Sequence, residues 1–148
     1  QQWEFIVLTG PKKDEVARSY GRFVEFALPP ADQRTPHQEN FLKWAQTYGG
    51  APVIIVALSP AHGHPGFRKM NLESVSAAFA QLLLAATNEG LGACWMTGPL
   101  SNEAELRKIL ELPDTKEIVA LTPLGYPDEN PPAPTYKKLE EFVSWVGF

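Results

Sequence analysis

A chain of 148 residues that is 44% hydrophobic and 20% charged has the composition of an ordinary globular domain with a real core, not of a disordered segment. Its net charge of −4 and scattered Lys and Arg leave no basic footprint for a nucleic-acid backbone. Its single cysteine, Cys94, rules out an intrachain disulfide framework and fits a reducing compartment, so the cytoplasm is the expected location.

In chain order, the aromatic and β-branched run over residues 3–8 reads as a strand closed by the turn Thr9-Gly10-Pro11. Val16, Ala17, Tyr20, Phe23, Val24 and Ala27 then recur at helical spacing, predicting a helix over 14–28 that Pro29-Pro30 stops. After a polar loop over 31–36, Phe41, Trp44, Ala45 and Tyr48 predict a second helix that Gly49-Gly50 ends. Residues 53–58 are continuously apolar and of strand length, the pattern of a central strand covered on both faces. A loop rich in Gly and Pro is expected over 59–69, and a helix over 71–88.

Between Val75 and Ala86 only Ser76 and Gln81 are polar, so this helix must be buried against a core or a second subunit; it is too short to span a bilayer. It runs into Gly90 and Gly92 and then a predicted strand over 93–97 that ends in Thr97-Gly98, a place where backbone rather than side chain can meet a ligand. Asn102 and Glu105 have the spacing of a capping box for a helix carrying Leu106, Ile109 and Leu110, ended by Pro113. A strand over 118–124, a turn at Gly125-Tyr126-Pro127 and an extended proline-rich arm over 128–135 follow. Leu139, Phe142, Val143 and Val146 predict a last short amphipathic helix. There is no internal repeat and no domain boundary, so residues 1–148 are read as one α+β domain.

Five stretches, in this order, resemble the nitroreductase family of flavin mononucleotide (FMN) enzymes. They are Gln1-Gln2-Trp3-Glu4-Phe5, residues 51–56, the apolar helix, Gly90-Leu91-Gly92-Ala93-Cys94-Trp95-Met96-Thr97-Gly98, and 121–127 with Lys138-Leu139-Glu140-Glu141-Phe142. Gln2 stands where the family has Pro. The resemblance implies a mainly antiparallel sheet flanked by helices, in an intertwined homodimer with FMN at the subunit interface. It also implies hydride transfer from NAD(P)H to small aromatic electron acceptors such as nitroaromatics and quinones, by a ping-pong mechanism in one shared site. The family's N-terminal segment, with an Arg-rich motif for the FMN phosphate, lies upstream of the Gln-Pro-Trp stretch; this chain starts after it and with Gln, so a fragment or processed form is expected.

Flavin chemistry asks for no catalytic side chain; the protein supplies binding, orientation and electrostatics. By resemblance the cofactor contacts fall on Gln1, Ser74, Trp95, Met96, Thr97, Gly98, Lys137 and Lys138, with the N–H groups of Thr97 and Gly98 near the flavin N5. The alternative for residues 95–98 is a plain buried strand edge, against which Gly98 counts because no other reason for it is visible in the sequence. Ser74 falls where relatives reach the other subunit's flavin, though a serine in a helix's first turn is also an ordinary helix starter. Asn40 and Lys43, a turn apart, suit either the flavin's pyrimidine edge or a solvated helix face. Relatives carry Arg where this chain has Tyr136; Lys137 or Lys138 can replace it only as a point charge. A non-catalytic dimer that has lost tight flavin binding is therefore the rival reading.

Other candidates read as structural. His62 and His64 are too few converging ligands for a metal, and Cys94 has no basic neighbour in sequence to activate its thiol. Ser59, Ser74, Ser101 and Asp114 make no hydrolase triad, and no Gly-x-Gly-x-x-Gly nucleotide fingerprint is present.

Overall fold

The computed structural model describes residues 1–147. Its elements are β1 (Glu4–Leu8), α1 (Gly10–Ala27), α2 (Pro36–Thr47), β2 (Val53–Pro60), α3 (Pro65–Asn88), β3 (Gly92–Ala93), α4 (Glu103–Ile109) and β4 (Lys116–Gly125). The strands form one fully antiparallel sheet in the order β1-β2-β4-β3. With helices on both faces, this is the α+β architecture expected.

The core lies on either side of β2, whose six middle residues are all buried. On one face Ile54, Val56 and Leu58 join Val16, Tyr20 and Leu106 of α1 and α4. On the other, Ala57 meets Val75 and Phe79 of α3. The continuous apolar run thus serves two cores at once, as a strand without polar alternation must. A β-bulge interrupts the β2–β4 ladder: Ala57 pairs with Ala120 but Leu58 pairs with Ile118, leaving Val119 as the extra residue. Val119 and Ala120 consequently both turn toward α3, which widens the platform under that helix.

Three helices start earlier than the sequence reading placed them, for one reason. Pro11, Pro36 and Pro65 sit in the first turns of α1, α2 and α3. A proline there gives up only an N–H that has no intrahelical partner, so it starts a helix as readily as it breaks one. The start of α2 is further fixed by a capping box between Thr35 and Gln38, whose side-chain oxygen accepts from the Thr35 N–H at 2.8 Å. At its end Tyr48, Gly49 and Gly50 all take positive φ, so the predicted glycine stop is present.

The expected strand over 93–97 is broken. Only Gly92–Ala93 pair regularly with β4, and Met96 makes a single bridge to Leu121. Between them the Cys94 N–H donates to the Thr122 hydroxyl at 3.0 Å, so a side chain takes the place of the ladder carbonyl. The Asn102–Glu105 capping box also fails to form as such: Asn102 stands at the N-cap of α4, but its side chain caps nothing there. The terminal helix reduces to one 3-10 turn, Leu139–Glu141, with Phe142 and Val146 exposed.

In α3 only a stripe of Asn71, Val75, Phe79 and Ala86 is buried. Phe67, Met70, Leu72 and Leu84 are exposed on the same helix. Asn71 ties α3 to the sheet by donating to the Pro60 carbonyl at 3.2 Å.

Tyr48 is 2% exposed, and its hydroxyl has no hydrogen-bond partner among the described residues. A buried unsatisfied hydroxyl costs more than its removal. Tyr48→Phe should therefore stabilise the fold by about 1 kcal/mol, read as a rise in the urea midpoint at constant slope.

Candidate functional site

A ladder of rings crosses the α3 face of the sheet. Trp3 stacks on Phe5 with centroids 5.7 Å apart, Phe5 meets Phe79 of α3 at 6.4 Å, and Phe79 meets Trp95 edge-on at 4.8 Å. The ladder links the first residues of the chain to the segment 94–98. Phe79 is fully buried, whereas Trp95 keeps 41% of its surface exposed at the end of the ladder.

Beyond Met96 the chain leaves the sheet and turns into a 3-10 helix, Gly98–Asn102, closed by the Leu100 N–H donating to the Thr97 carbonyl at 2.9 Å. Thr97 and Gly98 are exposed, and neither amide N–H meets an acceptor among the described residues. Two adjacent open donors beside an exposed indole make a small anion- or acceptor-binding edge built from backbone.

The sequence-predicted residues divide. Trp95, Thr97 and Gly98 are brought together at this edge. Met96 is not: it is 9% exposed and turned into the core on the α1 face, because alternate residues of an extended segment point to opposite sides. Ser74 lies in the third turn of α3, since that helix begins at Pro65, so the helix-starter explanation for it lapses. Gln1 is exposed two residues ahead of the ring ladder. Lys137 and Lys138 are exposed just ahead of the 3-10 turn Leu139–Glu141, and no ion pair or hydrogen bond joins them to residues 95–98 among the described residues. Asn40 and Lys43 are exposed on α2, which packs on α1, so in this chain they occupy a solvated helix face.

Gly98 has a structural reason that the sequence did not disclose. A Cβ built there would come within 2.8 Å of the Tyr20 hydroxyl oxygen, far inside contact distance. Tyr20 itself is buried, and that burial, with Cys94 nearby, pushes its phenol pKa up. Next to it the fully buried Ser19 donates to Glu105 at 3.0 Å, and Asn102 donates to both Ser19 and Glu105. Arg22 closes the network as an ion pair with Glu105. The spacing of Asn102 and Glu105 marks that pair in the sequence, but not its link to Ser19 and Arg22, which lie more than eighty positions away.

The remaining candidates have structural roles. The His64 ring nitrogen caps α3 by accepting from the Gly66 N–H at 3.1 Å, His62 accepts from the His64 N–H at 3.0 Å, and both rings pack on Phe67. No group of three potential metal ligands exists among the described residues. Burial pushes the Cys94 thiol pKa up, away from the reactive thiolate. Cys94 borders a cleft of about 510 Å³ between Trp44, Tyr48, Gly125 and Pro127. No helix among the described residues is long and apolar enough to cross a membrane.

An antiparallel sheet flanked by helices on both faces is the fold of nitroreductase-like proteins. The FMN and NADPH-dependent nitroreductase of sphigopyxis sp. strain HMH superposes with a TM-score of 0.72 at 18% identity, covering 99% of this chain and 81% of that one. The nitroreductase family model matches residues 1–126, and the chain belongs to that family. An iodotyrosine deiodinase of Thermotoga neapolitana is 37% identical across 100% of this chain and 77% of its own length. A putative NAD(P)H nitroreductase of Bacillus subtilis is 24% identical over 88% of this chain. The chain spans 66% of the length of the Bacillus relative and 43% of a Methanothermobacter one.

Burial acts to raise the Glu105 pKa, but hydrogen bonds from Arg22, Ser19 and Asn102 outweigh it and hold the carboxyl below its ordinary value. A folded-state pKa below the unfolded one gives stability that is complete above the unfolded value and is lost as pH falls through the folded one. Wild type should thus melt above Glu105→Gln at neutral pH, and the gap should close on acidification below about pH 4.3. Thermal melts of both proteins across that range check it.

Proposed function

We propose that the chain is an FMN-dependent oxidoreductase. The observation that carries this reading is the open amide pair of Thr97 and Gly98 beside Trp95, at the position where family resemblance expects the flavin N5 edge. Trp95 offers apolar cover, and Thr97 and Gly98 offer two unpartnered N–H groups that can donate to a ring nitrogen. Gln1 and Ser74 are assigned to the same cofactor, and Lys137 and Lys138 to its phosphate as point charges. Bound FMN would supply the redox chemistry, taking hydride from NAD(P)H and passing electrons to a nitroaromatic, quinone or similar flat acceptor in a ping-pong cycle. The single cysteine supports a cytoplasmic location, and the shared sheet supports one domain over residues 1–148.

A second reading concerns the acceptor. The relative matching the whole chain at 37% identity is an iodotyrosine deiodinase, which favours reductive removal of halogen from a halogenated aromatic. Tyr136, in place of the family's Arg, favours instead a non-catalytic member with weak flavin binding.

We further propose a homodimer through α3. Phe67, Met70, Leu72 and Leu84 are large apolar side chains left exposed on one helix, surface that a partner subunit would cover. Phe79 is fully buried within the chain, so its substitution would test folding; Leu84, 66% exposed, tests assembly. Leu84→Asp should convert a sedimenting dimer into a folded monomer. A wild-type monomer at micromolar concentration would refute the dimer.

Dialysed protein should be yellow, with flavin absorbance, and should oxidise NAD(P)H when given a nitroaromatic. Colourless protein that FMN does not reconstitute would favour the non-catalytic member, and release of iodide from an iodinated phenol without nitro reduction would favour the deiodinase reading. Lys137→Ala with Lys138→Ala should weaken FMN about tenfold, with the loss shrinking at high salt, because exposed point charges are screened.

A further inference from the structure

We propose that Tyr20 is a positioning residue for the Thr97–Gly98 amide pair: its hydroxyl is the stop against which the turn rests, and it sets how far the two donors stand off the sheet. The proposal rests on the reading that this pair faces the flavin.

Tyr20 is held from several sides. Its ring stacks on Tyr48 with centroids 5.7 Å apart and planes 23° apart, and Phe41 meets it edge-on at 6.5 Å. With 7% of its surface exposed, it has little freedom to move. The Gly98 backbone descends onto its hydroxyl, closer than any residue with a Cβ could approach. One residue earlier on α1, Ser19 bonds to Asn102 and Glu105 at the far end of the same turn. One helix therefore fixes both ends of the 98–102 turn, at Gly98 by a stop and at Asn102 by hydrogen bonds. A donor pair left open to a ligand cannot be held by its own hydrogen bonds, so its placement has to come from contacts beneath it.

The distances define a compensation test. In Gly98→Ala the new methyl meets the Tyr20 hydroxyl oxygen at 2.8 Å, whereas without that oxygen the nearest atoms are ring carbons at 3.3 Å, a contact that small shifts relieve. Three variants of the chain serve: Gly98→Ala, Tyr20→Phe, and both together. In flavin-free protein, hydrogen exchange of the Leu100 amide reads whether the turn is closed, because that N–H bonds to the Thr97 carbonyl. FMN titration, followed by flavin fluorescence and absorbance, reads the donor pair.

Gly98→Ala should lose Leu100 protection and bind FMN at least tenfold more weakly, and adding Tyr20→Phe should restore both to within about threefold of Tyr20→Phe alone. If the double variant is as impaired as Gly98→Ala, Tyr20 is not the stop and the proposal falls. If Leu100 protection is lost and recovered while FMN affinity stays constant, the stop is real but the flavin lies elsewhere, and the positioning role falls with that reading. Should Gly98→Ala not fold, Tyr20→Leu removes the ring from beneath an unaltered turn: lost Leu100 protection with unchanged circular dichroism supports the proposal, and full protection overturns it.

Discussion

The pairing of β2 with β4 is the constraint on which the other elements depend. Both strands are buried through their centres, so each residue of the ladder must satisfy its backbone across the pair and its side chain against a helix. The bulge at Val119 resolves a conflict inside that ladder. Alternation alone would point Val119 and Ala120 to opposite faces; the extra residue lets both face α3, giving Phe79 an apolar bed. Phe79 then supports Trp95, and the exposed edge of the candidate site follows from a one-residue register shift in the middle of the sheet.

The two faces of the sheet contribute differently to that edge. The α3 face supplies the rings that end at Trp95, while the α1 face supplies Tyr20 and the Ser19–Asn102–Glu105 network below Gly98. The segment 95–98 passes between them, with Met96 anchored in one core and Trp95 leaning on the other. A backbone site can be held this way without any polar side chain aimed at the ligand.

Much of this was legible in the sequence, and what was not has a definite physical source. The buried strand at 53–58, the glycine stop after Tyr48 and the strand over 118–124 come from local composition, and the structure has them. From sequence the helix start at Pro11 reads as a turn and those at Pro36 and Pro65 as loop, because proline signals both a break and a first turn and only tertiary context decides. The strand over 93–97 was overextended because the Thr122 hydroxyl, a partner from elsewhere in the chain, intercepts the Cys94 amide. Thr97 and Gly98 were picked out through family resemblance, but Tyr20 was not, since contact across a fold leaves no periodic trace. The apolarity of α3 was visible; that only a stripe of it would pack within the chain was not.

The brevity of β3 also bears on solubility. A sheet has two edges, and an edge strand with a run of open N–H and C=O groups invites pairing with other molecules. Here the β3 edge offers only two regular residues before the regular ladder ends. A foreign strand docking there would find too short a template to propagate along. The irregularity that leaves the backbone at 97–98 without ladder partners thus also blunts this edge of the sheet against fibrous growth.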